Sequence, residues 1–290
     1  MIIATMTKHK HAEGAGKSRR RRTVGKFHPG SSRNKDPRGS KPQNSSDSWI
    51  YGSHAAHAAL ANPDRVCRRI LVTRQAAETL AEHQLGSGMP QPEILSREEI
   101  EAALPEGAVH QGIAVSVLPL PDLSLDELCD NLADIDAATL AVLDQANDPR
   151  NIGAVLRSAA AFGIDALLVQ DRHAPEATAA MAKAASGAIE LVPMVRVTNI
   201  VRAMEALKSS GFWCIGLDGS ADQSLVSAAP SGRIALIIGA EGSGLRRLTR
   251  ETCDMLVKIP ISGNMDSLNL SNAAAVAFYE ISRHRGGTKA

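Results

Sequence analysis

The second half of the chain alternates short, continuously apolar runs with segments whose apolar residues recur at helical spacing. The apolar runs predict strands at Thr139–Leu143, Ala166–Val169, Phe212–Leu217, Ile234–Ile238 and Met255–Ile259. The other segments predict helices at Gly153–Phe162, Pro175–Ala185, Ile200–Ser209, Leu245–Thr252 and Asn272–Arg283. Because strands that are buried on both faces are apolar throughout, this pattern predicts an α/β domain with a parallel sheet over residues 137–290.

Residues 48–118 predict a smaller α/β unit. Its predicted strands are Arg69–Thr73, Glu93–Leu95 and Ile113–Val117, and its predicted helices are Gly52–Leu60, Gln75–Leu85 and a third from the cap Ser96 through Leu104. Glu99 stands three residues after Ser96, which is the spacing of a capping box. Prolines then mark a linker, and Ser124 begins a further helix, so we assign residues 119–136 to a linker and helix.

The charge is divided unevenly along the chain. Residues 1–47 hold twelve basic and three acidic residues, a net charge of +9, whereas the rest holds 20 basic and 28 acidic residues, a net charge of −8. With so few apolar residues, the first segment is predicted to be a disordered basic tail. A basic arm on an acidic body indicates a nucleic-acid partner. A solvated tail without a partner and an organellar transit peptide are the alternatives.

Cysteine usage and hydropathy favour a cytoplasmic protein. The four cysteines, Cys67, Cys129, Cys214 and Cys253, are far apart and form no CxxC pair, so reduced thiols are expected rather than disulfides or a zinc site. No stretch reaches the roughly 18 consecutive apolar residues of a membrane helix, and the first residues lack the apolar run of a secretory signal. We therefore expect no membrane association and no metal.

The first polar constellation follows the strand that ends at Leu143. It runs from Asp144 through Asn151 to Arg157 and enters a helix. In open α/β sheets, ligands bind beyond the carboxyl ends of the strands, which is where these side chains would lie. Asn151 has a structural alternative as the helix cap. Arg157 is harder to explain structurally, because it is a lone charge in an apolar helix.

The second constellation is a glycine-rich turn between a strand and a helix. Gly239, Gly242 and Gly244 would allow backbone amides to approach a ligand closely, and Glu241 could cap the helix or hold a substrate group. The spacing is neither that of a dinucleotide-binding fingerprint nor that of a phosphate loop. Three arginines follow, and they either contact phosphates or form a solvated face: Arg246, Arg247 and Arg250.

The third constellation is a polar loop between the last strand and the terminal helix. Its donors and acceptors are Ser267, Asn269, Ser271 and Asn272. One of these side chains must cap the helix, but four exceed what a cap needs.

Together these segments resemble the SpoU/TrmH family of the SPOUT RNA methyltransferases. The motifs N-x-G-x-x-x-R from Asn151, G-x-E-x-x-G from Gly239 and I-P-x₆-S-L-N from Ile259 occur in the family's order, and only the combination over residues 140–283 is specific. The segment Tyr51-Gly-x-His54 resembles, more weakly, the start of the small RNA-binding domain of the long bacterial members, which methylate guanosine in large-subunit ribosomal RNA. One departure is mild, since Ile261 stands where many members carry Met.

The resemblance implies a fold and a site that the spacing alone does not give. It implies a C-terminal SPOUT domain with a deep trefoil knot, a homodimer with the active site near the subunit interface, and S-adenosyl-L-methionine as methyl donor. It implies that the donor site is formed by Gly219, Gly239, Ile259 and Leu268. It implies that the reacting ribose is surrounded by Asn151, Arg157, Glu241, Ser267 and Asn269. The implied substrate is RNA, foremost a guanosine of 23S rRNA.

In-line transfer of a methyl group to a ribose hydroxyl requires alignment and a proton acceptor. A guanidinium resists deprotonation, with a pKa above ~12, so we predict that Arg157 orients the 2′-hydroxyl and the adjacent phosphate, with Asn151 and Ser267 fixing its position. Three alternatives remain open at this stage: a transfer-RNA ribose methyltransferase, a non-catalytic RNA-binding or ribosome-assembly factor on the same fold, and, more distantly, a nucleotide-binding oxidoreductase.

Overall fold

The computed structural model describes residues 48–81, 88–171, 179–263, 265 and 267–286. The predicted tail, residues 1–47, lies outside the described residues. So do the end of the helix predicted over Gln75–Leu85 and the start of the helix predicted over Pro175–Ala185. None of the helices in the described part of the chain combines the length and the apolar composition that a membrane span requires.

Residues 48–118 are built on a four-stranded sheet. Its strands are β1 (Ser48–Tyr51), β2 (Cys67–Val72), β3 (Glu93–Ile94) and β4 (Ile113–Val117), in the spatial order β1-β4-β2-β3. Its helices are α1 (Ser53–Ala61), α2 (Arg74–Ala81) and α3 (Arg97–Ala103). Helices α1 and α2 pack on one face of the sheet and α3 packs on the other. Successive residues of a strand point to opposite faces, so Ile70 of β2 contacts the first layer and Leu71 contacts the second.

Strand β1 was not predicted, since four residues ending beside Gly52 are too few to show an alternating pattern. It pairs antiparallel with β4 and joins the sheet at its edge. The predicted cap of α3 is confirmed: Ser96 Oγ accepts from the Glu99 amide at 3.2 Å, and the Ser96 amide donates to the Glu99 carboxylate at 2.7 Å. Ser124 and Glu127 form a second capping box, which begins α4 (Leu125–Asn131).

The second half forms a six-stranded sheet in which every pair of neighbours is parallel, which confirms the predicted α/β class. The strand order is β10-β8-β9-β5-β6-β7. The strands are β5 (Thr139–Leu143), β6 (Ala166–Gln170), β7 (Met194–Val197), β8 (Trp213–Leu217), β9 (Ile234–Ile238) and β10 (Met255–Val257). The helices are α5 (Pro149–Phe162), α6 (Ala179–Ala185), a 3-10 helix (Ala188–Glu190), α7 (Ile200–Ser209), α8 (Leu225–Ala228), α9 (Arg247–Thr252) and α10 (Leu270–Gly286).

Helices cover both faces of this sheet, which explains why its inner strands are almost entirely apolar. Ala141 and Leu143 of β5 face a cluster formed with α5, α6 and α10, while Leu140 and Val142 face a cluster formed with α4 and α7. Helices α5 and α6 approach closely at Gly153, where an added Cβ would lie 2.5 Å from the Met181 carbonyl oxygen.

Several predicted boundaries were wrong. Strand β7 was missed because it lies at the sheet edge, is only half-buried and carries Arg196. Helix α5 begins at Pro149, four residues before the predicted start. Asp148 is its cap and Pro149 its first residue, so Asn151 is not the cap that the sequence allowed.

Candidate functional site

Four loops meet at the carboxyl edge of the six-stranded sheet. They follow β5, β8, β9 and β10, which are four of the six parallel strands, and between them they carry most of the predicted site residues. Because parallel strands end at the same edge, side chains that are distant in the sequence are brought together there.

Asn269 joins two of these loops to the start of α5. Its Nδ2 donates to Asn151 Oδ1 at 3.2 Å and to Glu241 Oε2 at 3.4 Å. Asn151 and Asn269 are half-buried, and Glu241 is exposed. Three side chains from three separate motifs therefore form one hydrogen-bonded group, which we call the Asn-Glu-Asn cluster.

The orientation of the Asn269 amide is set by its second role, as the cap of α10. Its Oδ1 accepts from the Ser271 amide at 2.9 Å, from the Ser271 hydroxyl at 2.6 Å and from the Asn272 amide at 3.4 Å. Since the carboxamide oxygen is occupied by donors at the helix start, the nitrogen must point toward Asn151 and Glu241. Asn269 is thus the cap that the polar loop had to contain, and it still presents its donor group to the site.

Glu241 is held on a tight turn, and the geometry of the turn requires glycine at each of the three glycine positions. Ala240 and Gly244 exchange backbone hydrogen bonds of 3.1 and 3.0 Å, and Gly242 and Gly244 have positive φ angles of 80° and 65°. At Gly239, an added Cβ would lie 2.2 Å from the Gly244 carbonyl carbon. The turn can therefore fold back onto the end of β9 only because residue 239 has no side chain.

The same turn is tied to the sheet by a buried carboxylate. Asp144, fully buried at the end of β5, accepts from Arg246 Nε at 2.7 Å and from the Arg246 amide at 3.2 Å. Arg246 also reaches the Gln170 side chain at the end of β6, at 3.2 Å. The next residue after Asp144 is Gln145, with φ of 66°, an uncommon angle for a residue other than glycine.

The loop after β8 is ordered around Asp218. Its Oδ1 accepts from the Ser220 amide at 2.8 Å and the Ser220 hydroxyl at 2.6 Å, while Oδ2 pairs with Arg250 Nε at 3.0 Å. Burial alone would raise the pKa of Asp218, but the hydrogen bonds from Ser220 and the charge of Arg250 outweigh it and lower the pKa. Gly219, between Asp218 and Ser220 in the sequence, is exposed and has open space where a Cβ would stand.

The remaining predicted donor-site and ribose-site residues differ in burial. Ile259 is half-buried and packs against the core cluster that contains α10, and Leu268 is also half-buried. Ser267 is exposed. These positions line the loop that leads from β10 to the Asn269 cap.

Arg157, the predicted catalytic cation, is not part of the Asn-Glu-Asn cluster. It is exposed and forms no hydrogen bond or ion pair with any residue that the structure describes. It lies six residues after Asn151 on α5, which corresponds to about 9 Å along the helix axis and about 120° around it. Its guanidinium is therefore available to a ligand or to another chain.

The three arginines around α9, by contrast, are engaged within the chain. Arg246 binds Asp144, Arg250 binds Asp218, and Arg247 pairs with Glu251 one helical turn later. Sequence reasoning assigned no role to Asp144 or Asp218. The available signal was an acid placed directly after an apolar strand. In the described ranges, no group of three or more His, Cys, Asp or Glu side chains is arranged to hold a metal ion.

Comparison with known proteins adds an independent finding. Residues 138–279 match the model of the SpoU rRNA Methylase family. The 23S rRNA (guanosine-2′-O-)-methyltransferase RlmB of Vibrio cholerae is 40% identical over 247 residues, which are 83% of this chain and 98% of that protein. The enzyme of the same name from Escherichia coli K12 is 39% identical over 239 residues, 81% of this chain and 98% of that protein.

Solved structures are similar in fold. The crystal structure of the SpoU methyltransferase AviRb from Streptomyces viridochromogenes, in complex with the cofactor AdoMet, aligns with a TM-score of 0.68 at 24% identity. The alignment covers 82% of this chain and 90% of that one.

Proposed function

The chain belongs to the SpoU rRNA Methylase family, and we propose that it transfers a methyl group from S-adenosylmethionine to the ribose 2′-hydroxyl of a guanosine in 23S rRNA. The observation that carries the proposal is the Asn-Glu-Asn cluster, since motifs from three parts of the chain meet there in one hydrogen-bonded group. The chain aligns with 98% of the length of the two 23S rRNA methyltransferases, which supports 23S rRNA as the substrate.

The residues at the sheet edge fit the donor. Ile259 and Leu268 offer half-buried apolar surface for an adenine ring, and Gly219 leaves room for a ligand to approach the backbone. Gly239 supports the site by letting the Glu241 turn fold back. When bound, S-adenosylmethionine would supply a sulfonium-activated methyl group, and its transfer to the 2′-oxygen releases a neutral thioether and the hydroxyl proton, so departure of the leaving group needs no metal.

The chain's own contribution is alignment of the ribose. Asn151 and Glu241 present hydrogen-bonding groups that Asn269 holds in place, and Ser267, two residues before Asn269, adds an exposed hydroxyl. Arg157 binds the 2′-hydroxyl and the neighbouring phosphate as a fixed cation, because a guanidinium is a poor base. Such alignment is what converts a bound nucleoside into a near-attack geometry.

The proposal includes a homodimer and a knotted C-terminal domain. Support for a composite site comes from Arg157, which is exposed, unpaired within the described residues and six residues beyond Asn151 along α5. A partner subunit could bring its own Arg157 to the cluster. The domain limits that accompany this proposal are a catalytic domain over residues 137–290, a linker and helix over 119–136, a small RNA-binding domain over 48–118 and a basic tail over 1–47. The reaction belongs in the cytoplasm, with the ribosomal RNA.

The test is methylation by the purified chain with isotopically labelled donor. We expect label at a guanosine ribose of protein-free 23S rRNA and none in transfer RNA, with the position read by ribose-methylation mapping. Calorimetry with the donor alone provides a second measurement. If the chain binds the donor but labels only transfer RNA, the proposed 23S rRNA substrate is wrong and transfer RNA is the substrate. If the chain does not bind the donor, a non-catalytic RNA-binding protein is favoured.

A further inference from the structure

An ion pair buried between the small domain and the catalytic domain has no part in the chemistry described above. Arg65 Nε and Nη2 donate to Glu190 Oε2 and Oε1 at 3.1 and 2.7 Å. The side chains are only 6% and 2% exposed. Arg65 stands just before β2, and Glu190 ends the 3-10 helix after α6, so the pair joins two parts of the chain that are 125 residues apart.

Two further side-chain hydrogen bonds surround this pair. Arg65 Nη1 donates to the Leu118 carbonyl oxygen at 2.7 Å, at the point where the chain leaves β4 for the linker. Asn62 Nδ2, at the end of α1, donates to Glu190 Oε2 at 2.8 Å. The contact thus gathers the end of α1, the start of the linker and the 3-10 helix around one buried ion pair.

Apolar packing beside the pair is equally close. Gly187 begins the 3-10 helix with φ of 89°, and an added Cβ would lie 2.8 Å from Ala58 Cβ and 3.1 Å from the His54 carbonyl oxygen. Helix α1 therefore rests directly on the backbone of residue 187. A side chain at this position would separate the two surfaces.

A buried ion pair of this kind contributes little net free energy to docking, but it favours one docking geometry of the two domains over others. Its charges are satisfied only when both partners meet, so a shifted docking would leave a charge buried without its partner. When the surfaces separate fully, both charges regain water. The two domains are therefore either docked in one register or apart.

We propose that Arg65 and Glu190 are positioning residues that lock the small domain in one orientation on the catalytic domain, so that RNA bound to the first is aligned with the Asn-Glu-Asn cluster of the second. This inference rests on the proposed function for its consequence, but not for its structural part. Two RNA-binding surfaces held in register act as one extended site, whereas loosely connected surfaces lose effective concentration.

The experiment compares full-length wild type with Glu190→Ala by amide hydrogen exchange and by kinetics. Removing the carboxylate leaves Arg65 buried without its partner, so the docked state is disfavoured. We expect exchange in peptides covering residues 53–62 and 187–192 to rise together by about tenfold or more. We also expect KM for a long 23S rRNA fragment to rise about tenfold, with kcat and the KM for a short target hairpin changed less than about twofold.

The matched control is Glu251→Ala, which breaks an ion pair that is 75% and 56% exposed and should change neither exchange nor KM. If Glu190→Ala folds poorly, Arg65→Ala/Glu190→Ala gives the test without a buried unpaired charge. Fast exchange of both peptides in wild type, or unchanged exchange and KM in these variants, would overturn the lock. If wild type methylates no RNA, the proposed function fails, while the exchange measurement still decides the lock.

Discussion

Asp144 holds Arg246 at the carboxyl edge of the sheet with a side chain that is fully buried, while the arginine is 37% exposed. The two residues follow different strands, β5 and β9, and their contact closes the turn that carries Glu241. Breaking the pair would cost Asp144 more than Arg246, because water can reach the guanidinium of Arg246 but not the buried carboxylate of Asp144.

Asp144→Asn should therefore destabilise the fold and loosen the donor site. Losing charge-assisted hydrogen bonds in a buried position should lower the free energy of unfolding by about 2 kcal/mol. Donor affinity should fall as well, since the Glu241 turn loses its anchor. Denaturant unfolding and calorimetry measure the two effects. Glu251→Gln, at an exposed pair, should change stability by less than about 0.5 kcal/mol, and equal effects from both variants would contradict the assigned role.

Much of this edge could be predicted from the sequence. Continuous apolar strands such as Ile234–Ile238 can only be buried on both faces, which fixes the parallel sheet and its functional edge. Strand β7 could not be predicted because it has only four residues and Arg196 interrupts its apolar run. The Asp144–Arg246 pair was equally hidden, because a contact across 102 residues depends on strand order, which local patterns do not encode. Whether the Arg157 of the same chain or that of a partner serves the cluster, as the proposed composite site requires, is a question of quaternary structure, which no local pattern encodes.

Gly239→Ala and Gly219→Ala should separate two roles of glycine in the predicted donor site. The added methyl at residue 239 would meet the backbone of Gly244 at 2.2 Å, so the turn must move. We expect a loss of about 1–3 kcal/mol in unfolding free energy and weaker donor binding. At residue 219 nothing lies within 4 Å, so stability should change by less than about 0.5 kcal/mol. A stable Gly239→Ala protein with normal donor affinity would show that the turn is not constrained in this way.

Asn269→Asp and Asn269→Ala should separate the contribution of Asn269 to the cap of α10 from its contribution to turnover. Aspartate keeps an acceptor for the Ser271 amide and favours a helix N-terminus, so the fold should remain as stable as wild type. It also replaces the donor to Glu241 by a second carboxylate, so turnover should fall about 100-fold. Alanine should lose about 1 kcal/mol of stability in addition. Thermal unfolding and single-turnover methylation provide the readouts, and an active aspartate variant would remove Asn269 Nδ2 from the mechanism.

Two cysteines, Cys214 in β8 and Cys253 just before β10, should be inert to thiol reagents at neutral pH. Burial raises the pKa of Cys214 and of Cys253 to about 12. At pH 8 the thiolate fraction of each is therefore about 10⁻⁴, and only the thiolate reacts. Because the folded pKa lies above the unfolded value, native stability should be insensitive to these groups below about pH 8 and should fall as the pH rises toward 12. Mass spectrometry after alkylation at pH 8 should find both residues unmodified until denaturant is added; rapid native labelling would contradict their burial.

Arg157 provides the test of the composite site. Arg157→Lys keeps the charge but loses the bidentate guanidinium, so turnover should fall at least about 100-fold with donor affinity nearly unchanged. Near-wild-type turnover would exclude the orienting role. Subunit mixing then asks which chain supplies the arginine. If Arg157 acts across the boundary, a heterodimer of Arg157→Ala and Asn151→Ala subunits regains one intact site. Random equal mixing should then recover about a quarter of wild-type activity. If both residues act from the same chain, every site in the mixture lacks one of them, and the mixture should stay as inactive as either variant alone.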